Sequence, residues 1–192
     1  EVEYKDKKKE MDPVTSADKD SQKLLMEGIG SRFPDHGILG EEDSNGDDSP
    51  ASDFLWVLDP LDGTTNFLNG LPIYAVSIGV LYRGIPVVGA LFIPWPDDSG
   101  GAVLHARRGG GCKVDGVPLK LPPLEGPSPN RLSGLPGSFS SGFRFTKEMR
   151  HRVGELRVTG SIAYELAMVA RGSIQYALFG EPRIWDVAAG VL

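Results

Sequence analysis

The sequence predicts a mixed α/β protein in which strands occupy the middle of the chain and helices lie on both sides of them. Apolar residues make up 40% and charged residues 24%, which is typical of a soluble chain that buries a core. Glycine (25) and proline (15) are abundant, and this favours many turns over long helices. The apolar runs are far shorter than a membrane span, so they indicate buried strands instead.

The first 60 residues are predicted to form one helix, a loop and a strand. Thr15-Ser16 can cap a helix that begins near Asp18, and Pro34 lies beyond its end. Residues 43–53 are predicted to form an acidic, mobile loop, and the apolar run 54–58 a buried strand. The apolar side chains of the helix recur at helical spacing and are Leu24, Leu25, Ile29 and Phe33.

Two groups of antiparallel strands are predicted next. Strands over 74–82 and 85–93 flank Arg83-Gly84, which is expected to form a hairpin turn. Asp115-Gly116 is predicted to be a type I′ turn in a second meander. The strands of this meander are 103–106, 111–114 and 117–121.

Residues 122–145 are predicted to connect two halves of one compact unit. Of the 21 residues from 122 to 142, 14 are Gly, Pro or Ser, which is typical of a linker or a long loop. The halves comprise residues 1–121 and 146–192. The predicted elements of the second half are a helix over 161–171, a strand over 174–179 and a helix from Trp185.

Charge and cysteine content exclude several classes of protein. Twenty basic and 26 acidic residues give a net charge of −6, which disfavours binding to nucleic acid or to an anionic membrane. A chain of this charge that acts on a phosphate would need bound cations to reverse the local field. Cys112 is the only cysteine, so neither an intrachain disulfide nor a thiolate zinc site can form, which fits a reducing, cytoplasmic setting. Residues 1–10 show no signal peptide.

The most informative segment is 56–67, in which an apolar strand leads directly to acidic side chains. A proline and Gly63 turn the backbone, so Asp59 and Asp62 can project from one strand end. The N–H groups of Gly63 and Thr64 would form an anion site, aided by a helix dipole of about half a unit charge. Hard oxygen ligands for Mg²⁺ beside donors for phosphate would support metal-assisted phosphoryl hydrolysis. The alternative is a solvated turn, since Asp, Pro and Gly are also favourable turn residues.

Three further carboxylates favour the metal hypothesis. Glu41 follows the apolar Ile38-Leu39, where burying a carboxylate requires a partner. Asp186 lies at a predicted helix start among apolar neighbours. Asp18 lies in the first turn of its helix, where favourable placement against the helix dipole is an equally good explanation.

Glu41, the segment 59–67 and the segment 185–190 resemble the inositol monophosphatase family of the lithium-sensitive, magnesium-dependent phosphatase superfamily. The resemblance extends from residue 12 to residue 190. It implies an alternating α/β/α/β/α sandwich of the sugar-phosphatase type, which we expect to be truncated at both ends of this chain. It also implies a hydrolase that cleaves phosphate monoesters by means of a metal-activated water.

The resemblance implies that two to three Mg²⁺ ions bind. Glu41, Asp59 and the carbonyl of Leu61 would hold the first ion. Asp59, Asp62 and Asp186 would hold the second ion, so Asp59 would bridge the two.

The resemblance also implies roles in catalysis and substrate binding. Glu41, with Asp18 acting through waters, would support a third, weaker ion. Thr64 would orient the attacking water. Gly160-Ser161 match the segment that contacts the organic part of the substrate, although an ordinary helix cap explains them equally well. The implied substrate-binding residues are Gly63, Thr64, Gly160, Ser161 and Asp186.

One position departs from the family's pattern. Counting back from Asp186 without a gap, the glutamate that contacts inositol falls on Phe179, and Glu181 could replace it only in a rearranged loop. The pair Phe179-Gly180 resembles the nucleotide bisphosphatase branch, which has Lys-Glu where this chain has Thr65-Asn66. The substrate candidates are therefore inositol phosphate, fructose 1,6-bisphosphate, histidinol phosphate and 3′-phosphonucleotides.

The expected partners are a small phosphorylated metabolite and, from the family's habit, a second copy in a homodimer. Lithium sensitivity is implied by the resemblance, and no nucleic-acid or membrane partner is expected. The hypothesis of a different class is a non-enzymatic binding protein on the same scaffold. The intact metal-site positions disfavour it, because clustered carboxylates are costly to keep.

Overall fold

The computed structural model describes residues 2–6, 11–42, 52–95, 100–121, 126–136 and 144–192, without the side chains of residues 4–6 and 11–13. The elements up to residue 93 are β1 (Val2–Asp6), β2 (Met11–Thr15), α1 (Ser16–Arg32), β3 (Gly37–Gly40), β4 (Phe54–Asp62), α2 (Thr64–Leu68), β5 (Ala75–Tyr82) and β6 (Ile85–Ile93). The elements that follow are β7 (Ala102–Arg107), β8 (Gly111–Val114), β9 (Val117–Pro118), β10 (Leu132–Gly134), β11 (Glu155–Arg157), α3 (Ile162–Ala170), β12 (Ile174–Ala177) and α4 (Ile184–Val187).

Seven strands form the central sheet in the order β3-β4-β5-β6-β7-β8-β9. β3 and β4 are parallel, and each later pair of neighbours is antiparallel. The two predicted hairpin turns are confirmed: φ is 49° at Arg83 and 79° at Gly84, and 48° at Asp115 and 82° at Gly116. Positive φ at both central residues is typical of the type I′ turn, whose twist matches that of the flanking strands.

Helix α1 begins directly after Thr15, as its sequence predicts. Thr15 Oγ1 accepts hydrogen bonds from the backbone N–H groups of Ala17 and Asp18, and the Asp18 carboxylate accepts one from the Thr15 N–H at 2.8 Å. The helix packs against β4. The Gln22 side chain of α1 fills the space above Gly40, where a Cβ would lie 2.4 Å from Gln22 Oε1.

Helices α3 and α4 also pack on the central sheet, and two glycines of that sheet allow a very close approach. A Cβ at Gly89 would lie 2.3 Å from the carbonyl oxygen of Ala189, and a Cβ at Gly79 would lie 2.7 Å from the Cβ of Ala188. Only glycine leaves room for the backbone there. The α4 segment, which carries Asp186, is therefore held directly against β4 and β5.

A second sheet has three parallel strands in the order β11-β10-β12, and α3 packs on β12. The layers run from helix to sheet, helix and sheet again, which confirms the predicted layered α/β class. The prediction of a linker or long loop over 122–142 does not hold at Leu132–Gly134, which form the central strand of this sheet. Its two partners lie 23 and 42 residues further along the chain, so no local pattern marks it.

Residues 43–51 of the predicted acidic loop are not among the described residues. The division into two halves stays a prediction. Within the described residues, no helix is both long enough and apolar enough to cross a membrane.

Candidate active site

The end of β4 places two aspartates on one side of the sheet. Asp59 pairs with Ser77 and Asp62 pairs with Ala75. An advance of three residues along β4 therefore lies opposite an advance of two residues along β5, which means that β4 has one extra residue here. In a regular strand, residues three apart point to opposite faces, but an extra residue in one strand reverses this alternation. Asp59 and Asp62 accordingly line the same cavity. The sequence prediction that both carboxylates project from one strand end is supported by this register.

Two further carboxylates reach the cavity from other elements. The Glu41 N–H donates to the Leu58 carbonyl at 3.1 Å, which holds the residue after β3 beside β4. Asp186 is the third residue of α4, and its Oδ2 accepts from the Arg183 N–H at 2.7 Å. The Ser77 hydroxyl donates to the carbonyl of the residue before Asp186 at 3.0 Å and fastens α4 to β5. The cavity is lined by Glu41, Asp59, Leu61, Asp62, Gly63, Thr64, Thr65, Gly160 and Asp186.

Burial and neighbouring charges raise the pKa values of two of these carboxylates, Asp59 and Asp62. Asp59 is 1% exposed, and burial, followed by the charges of Glu41 and Asp62, raises its pKa from 3.8 to about 10. Burial also raises the pKa of Asp62 to about 7, with Asp186 and Glu41 adding to the effect. Hydrogen bonds from the Ala163 N–H and from Ser161 oppose this rise. Such a cluster of acidic groups is stable in its ionised form only beside positive charge.

The donor set fits Mg²⁺, which prefers carboxylate and carbonyl oxygens. The described residues contain no ready-made group of three or more acidic, histidine or cysteine side chains around one point. Asp59 is instead hydrogen-bonded to Glu41 and to the Leu61 N–H, the latter at 3.0 Å. Asp62 Oδ2 accepts hydrogen bonds from the Ser161 hydroxyl and from the Ala163 N–H. The hydrogen bond between Asp59 and Glu41 requires a proton between the two carboxyl groups, which a cation would replace.

Thr64 lies between two acceptors. Its hydroxyl oxygen is 3.0 Å from Asp18 Oδ1 and 3.1 Å from the Leu61 carbonyl oxygen. A hydroxyl has one proton and two lone pairs, so the proton is directed to these acceptors and the lone pairs remain for a ligand. Asp18 is 1% exposed and lies behind Thr64, where it also accepts from Thr15. Its expected action through waters stays a prediction, since the partner seen here is Thr64.

The backbone at Gly63 forms the side of the cavity that suits an anion. Gly63 has φ 95°, and a Cβ there would lie 3.0 Å from the Ile73 carbonyl oxygen, so the position requires glycine. It is the N-cap of α2, and the N–H groups of the first helical turn have no partner within the helix. Because α2 has only five residues, these N–H groups matter more than the dipole of about half a unit charge that a longer helix would supply.

Ser161 and Gly160 stand between this cavity and the next one. The Ser161 side chain caps α3 by accepting from the Tyr164 N–H at 3.2 Å, and it donates to Asp62 Oδ2 at 2.9 Å. The helix-cap explanation is therefore confirmed, and Ser161 also orients a predicted metal ligand. Asn66, to which sequence reasoning gave no role, donates to the Ile73 carbonyl at 2.7 Å and to the Thr159 carbonyl at 2.8 Å.

A second cavity, here called the Phe179 cavity, has a volume of about 330 Å³ and shares Asp62 and Gly160 with the carboxylate site. Phe179 is half-buried in its wall. Glu181 is exposed and does not line it, so this structure does not bring the alternative glutamate to the site. The cavity is lined by Asp62, Leu135, Pro136, Val158, Gly160, Ser161, Ile162, Glu165, Phe179 and Gly180.

Comparison with known proteins shows the family to which this chain belongs. The sequence profile of the inositol monophosphatase family matches residues 1–192. A fructose-1,6-bisphosphatase/inositol-1-monophosphatase of Aquifex aeolicus is 34% identical over 195 residues, covering 97% of this chain and 70% of that protein. The chloroplastic phosphatase IMPL1 of Arabidopsis thaliana is 36% identical over 94% of this chain, which spans half the length of that relative.

Solved structures share the fold. The extragenic suppressor protein suhB of Bartonella henselae is 27% identical, with a TM-score of 0.79 over 100% of this chain and 72% of that one. An IMPase/NADP phosphatase complexed with Mg²⁺ and phosphate is 24% identical, with a TM-score of 0.79 over 98% of this chain and 69% of that one. The chain belongs to the inositol monophosphatase family, whose members are metal-dependent phosphatases that hydrolyse phosphate monoesters.

Proposed function

We propose that this family member is a Mg²⁺-dependent phosphomonoesterase that hydrolyses a small phosphorylated metabolite, with inositol 1-phosphate as the first candidate substrate. The observation that carries the proposal is the convergence of Glu41, Asp59, Asp62 and Asp186 on one cavity beside Thr64. No structural need of the fold explains four carboxylates on one cavity, where burial and neighbouring charges raise the pKa values of Asp59 and Asp62.

Four carboxylates and one backbone carbonyl would bind the metal ions. Glu41, Asp59 and the Leu61 carbonyl would hold one ion, and Asp59, Asp62 and Asp186 a second, with a third ion near Glu41. Bound Mg²⁺ supplies positive charge to the phosphate and the leaving alkoxide, and it lowers the pKa of a bound water.

Three groups of the chain act on the water and the phosphate. Thr64, with its proton held by Asp18 or the Leu61 carbonyl, accepts a hydrogen bond from the attacking water and directs the water's oxygen at phosphorus. The N–H groups of Gly63 and Thr64 hold phosphate oxygens. Asp18 is a positioning residue, because it acts through Thr64.

The organic part of the substrate would enter the Phe179 cavity. The wall of this cavity is apolar at Phe179 and discriminates weakly among alcohols there, so we expect activity on inositol phosphate together with a broad tolerance of other phosphomonoesters. Fructose bisphosphate, histidinol phosphate and 3′-phosphonucleotides remain in the substrate panel. The family's habit supports a homodimer and lithium sensitivity, and the single cysteine supports a cytoplasmic setting.

A phosphate-release assay with and without Mg²⁺ tests the proposal. The wild type should release phosphate only with Mg²⁺, and Asp59→Asn should lose at least about 100-fold in rate. The exposed Asp35→Asn is the matched control and should keep wild-type activity. Normal rates in Asp59→Asn would refute the site assignment. The absence of Mg²⁺-dependent turnover on the whole panel would favour the non-enzymatic binding protein.

A further inference from the structure

One buried carboxylate lies outside the proposed machinery. Glu165, in the first turn of α3, is 3% exposed, yet it lines the Phe179 cavity. Burial raises the pKa of its side chain, and a carboxylate in such a place requires hydrogen-bond donors. Among the described residues, hydrogen-bond donors reach only one of its two oxygens.

The two oxygens of Glu165 have different surroundings. Oε1 accepts hydrogen bonds from the Thr159 N–H at 3.2 Å and from Thr159 Oγ1 at 2.7 Å. Oε2 has no hydrogen-bond partner among the described residues. Within that part of the chain, every side-chain oxygen or nitrogen that is shielded from solvent has a hydrogen-bond partner. Because Oε2 has no partner, it must be accessible, and we place it at the surface of the cavity that Glu165 lines. It lies over Gly134, where a Cβ would be only 2.3 Å away, so glycine keeps this space for the carboxylate.

Much of the remaining cavity wall is apolar, so Oε2 is a polar acceptor on an apolar surface. Leu135, Val158, Ile162 and Phe179 present apolar surface to the same space. The cavity shares Asp62 with the carboxylate site, so the organic group of a bound phosphate ester would enter here. A hydroxylated ring could place one face on the apolar wall and direct a hydroxyl at Oε2.

We propose that Glu165 is a specificity-determining residue, whose Oε2 accepts a hydrogen bond from a hydroxyl of the substrate's alcohol part. The inference rests on the proposed function and deepens it. It assigns to α3 the polar contact that Phe179 cannot make. The predicted substrate class is a phosphate monoester of a polyol with one less polar face.

Glu165→Gln isolates the contact. Both Thr159 groups are donors, so the amide oxygen of the glutamine stays on Thr159 and its NH₂ group takes the place of Oε2. The cavity then presents a donor where it had an acceptor, with no change in shape. The exposed Glu155→Gln is the matched control.

The test compares kcat/KM for inositol 1-phosphate with that for phenyl phosphate, which has no hydroxyl. Glu165→Gln should lower the value for inositol 1-phosphate by about 10- to 100-fold and that for phenyl phosphate by less than about twofold, since the substrate hydroxyl loses its acceptor and faces a donor. Equal losses on both substrates would show a purely structural role and overturn the inference. No loss on either would also overturn it.

Binding measured by calorimetry in Mg²⁺ separates this inference from the proposed function. If the wild type turns over neither ester, but Glu165→Gln selectively weakens inositol 1-phosphate binding, the proposed function fails and the inference stands. If the wild type binds neither ester, both fail.

Discussion

Asp59→Asn should stabilise the protein in the absence of metal while it removes activity. In the folded, metal-free chain, burial and the charges of Glu41 and Asp62 raise the pKa of Asp59 from 3.8 to about 10. The side chain is therefore protonated at pH 7 when folded and ionised when unfolded. Asparagine has the same shape, accepts from the Leu61 N–H as aspartate does, and carries no charge to neutralise.

The magnitude follows from proton linkage. Because the folded pKa lies above the unfolded one, the stability that depends on Asp59 is greatest below pH 4 and falls as the pH rises toward 10. The slope for one group is at most about 1.4 kcal/mol per pH unit. At pH 7, about three units above the ordinary pKa, the penalty that asparagine removes is between about 1 and 4 kcal/mol.

Urea denaturation at pH 5, 7 and 9 in the presence of EDTA measures this difference. The free energy of unfolding of Asp59→Asn should exceed that of the wild type by an amount that grows with pH, while the exposed Asp35→Asn should follow the wild type. With excess Mg²⁺ the order should reverse, because only the wild type gains the free energy of ion binding. An equal or lower stability of Asp59→Asn in EDTA at all three pH values would refute the reasoning.

Three further variants test how the site is built. Gly89→Ala should lower the free energy of unfolding, measured in urea, by about 1–3 kcal/mol, because the new Cβ would lie 2.3 Å from the carbonyl oxygen of Ala189, after α4. It should also lower kcat by displacing Asp186. The control Gly30→Ala, where nothing lies within 4 Å of the new Cβ, should leave the stability unchanged or raise it. Thr64→Val should lower kcat by about 100-fold or more with little change in KM, and an unchanged kcat would contradict its role in orienting water. Phe179→Glu should raise the preference for inositol 1-phosphate over phenyl phosphate about tenfold with the Mg²⁺ requirement intact, and a wild-type preference of a thousandfold or more would contradict the apolar wall.

Local signals account for the parts of the fold that sequence reasoning predicted well. The turn at Arg83-Gly84 and the one at Asp115-Gly116 set φ through neighbouring residues alone, and Thr15 caps α1 through groups two and three positions away. The strand β10 gave no such signal. Its three residues become a strand only through pairing with β11 and β12, so a segment rich in Gly, Pro and Ser resembles a linker until it has partners.

In the candidate site, too, local features were predictable from the sequence and contacts between distant residues were not. Asp59, Asp62 and Gly63 were recognisable because strand, turn and helix start follow one another within a few residues. The role of Ser161 as a partner of Asp62 could not be read from the sequence, since 99 positions separate the two. Glu165 lay inside an apolar helical pattern, where nothing distinguishes a carboxylate that faces a cavity from one that faces solvent.

The sequence by itself determined the chemical groups of this protein: hard oxygen ligands beside backbone donors, in the order that identifies the inositol monophosphatase family. The tertiary structure decided which of them meet. An extra residue in β4 turns Asp59 and Asp62 to one side, and Gly79 and Gly89 let the chain after Asp186 approach the sheet. Residue types and turns depend on neighbours along the chain, whereas the convergence of carboxylates depends on packing between distant segments, such as those of Asp59 and Asp186, 127 positions apart, where only the folded backbone fixes distance.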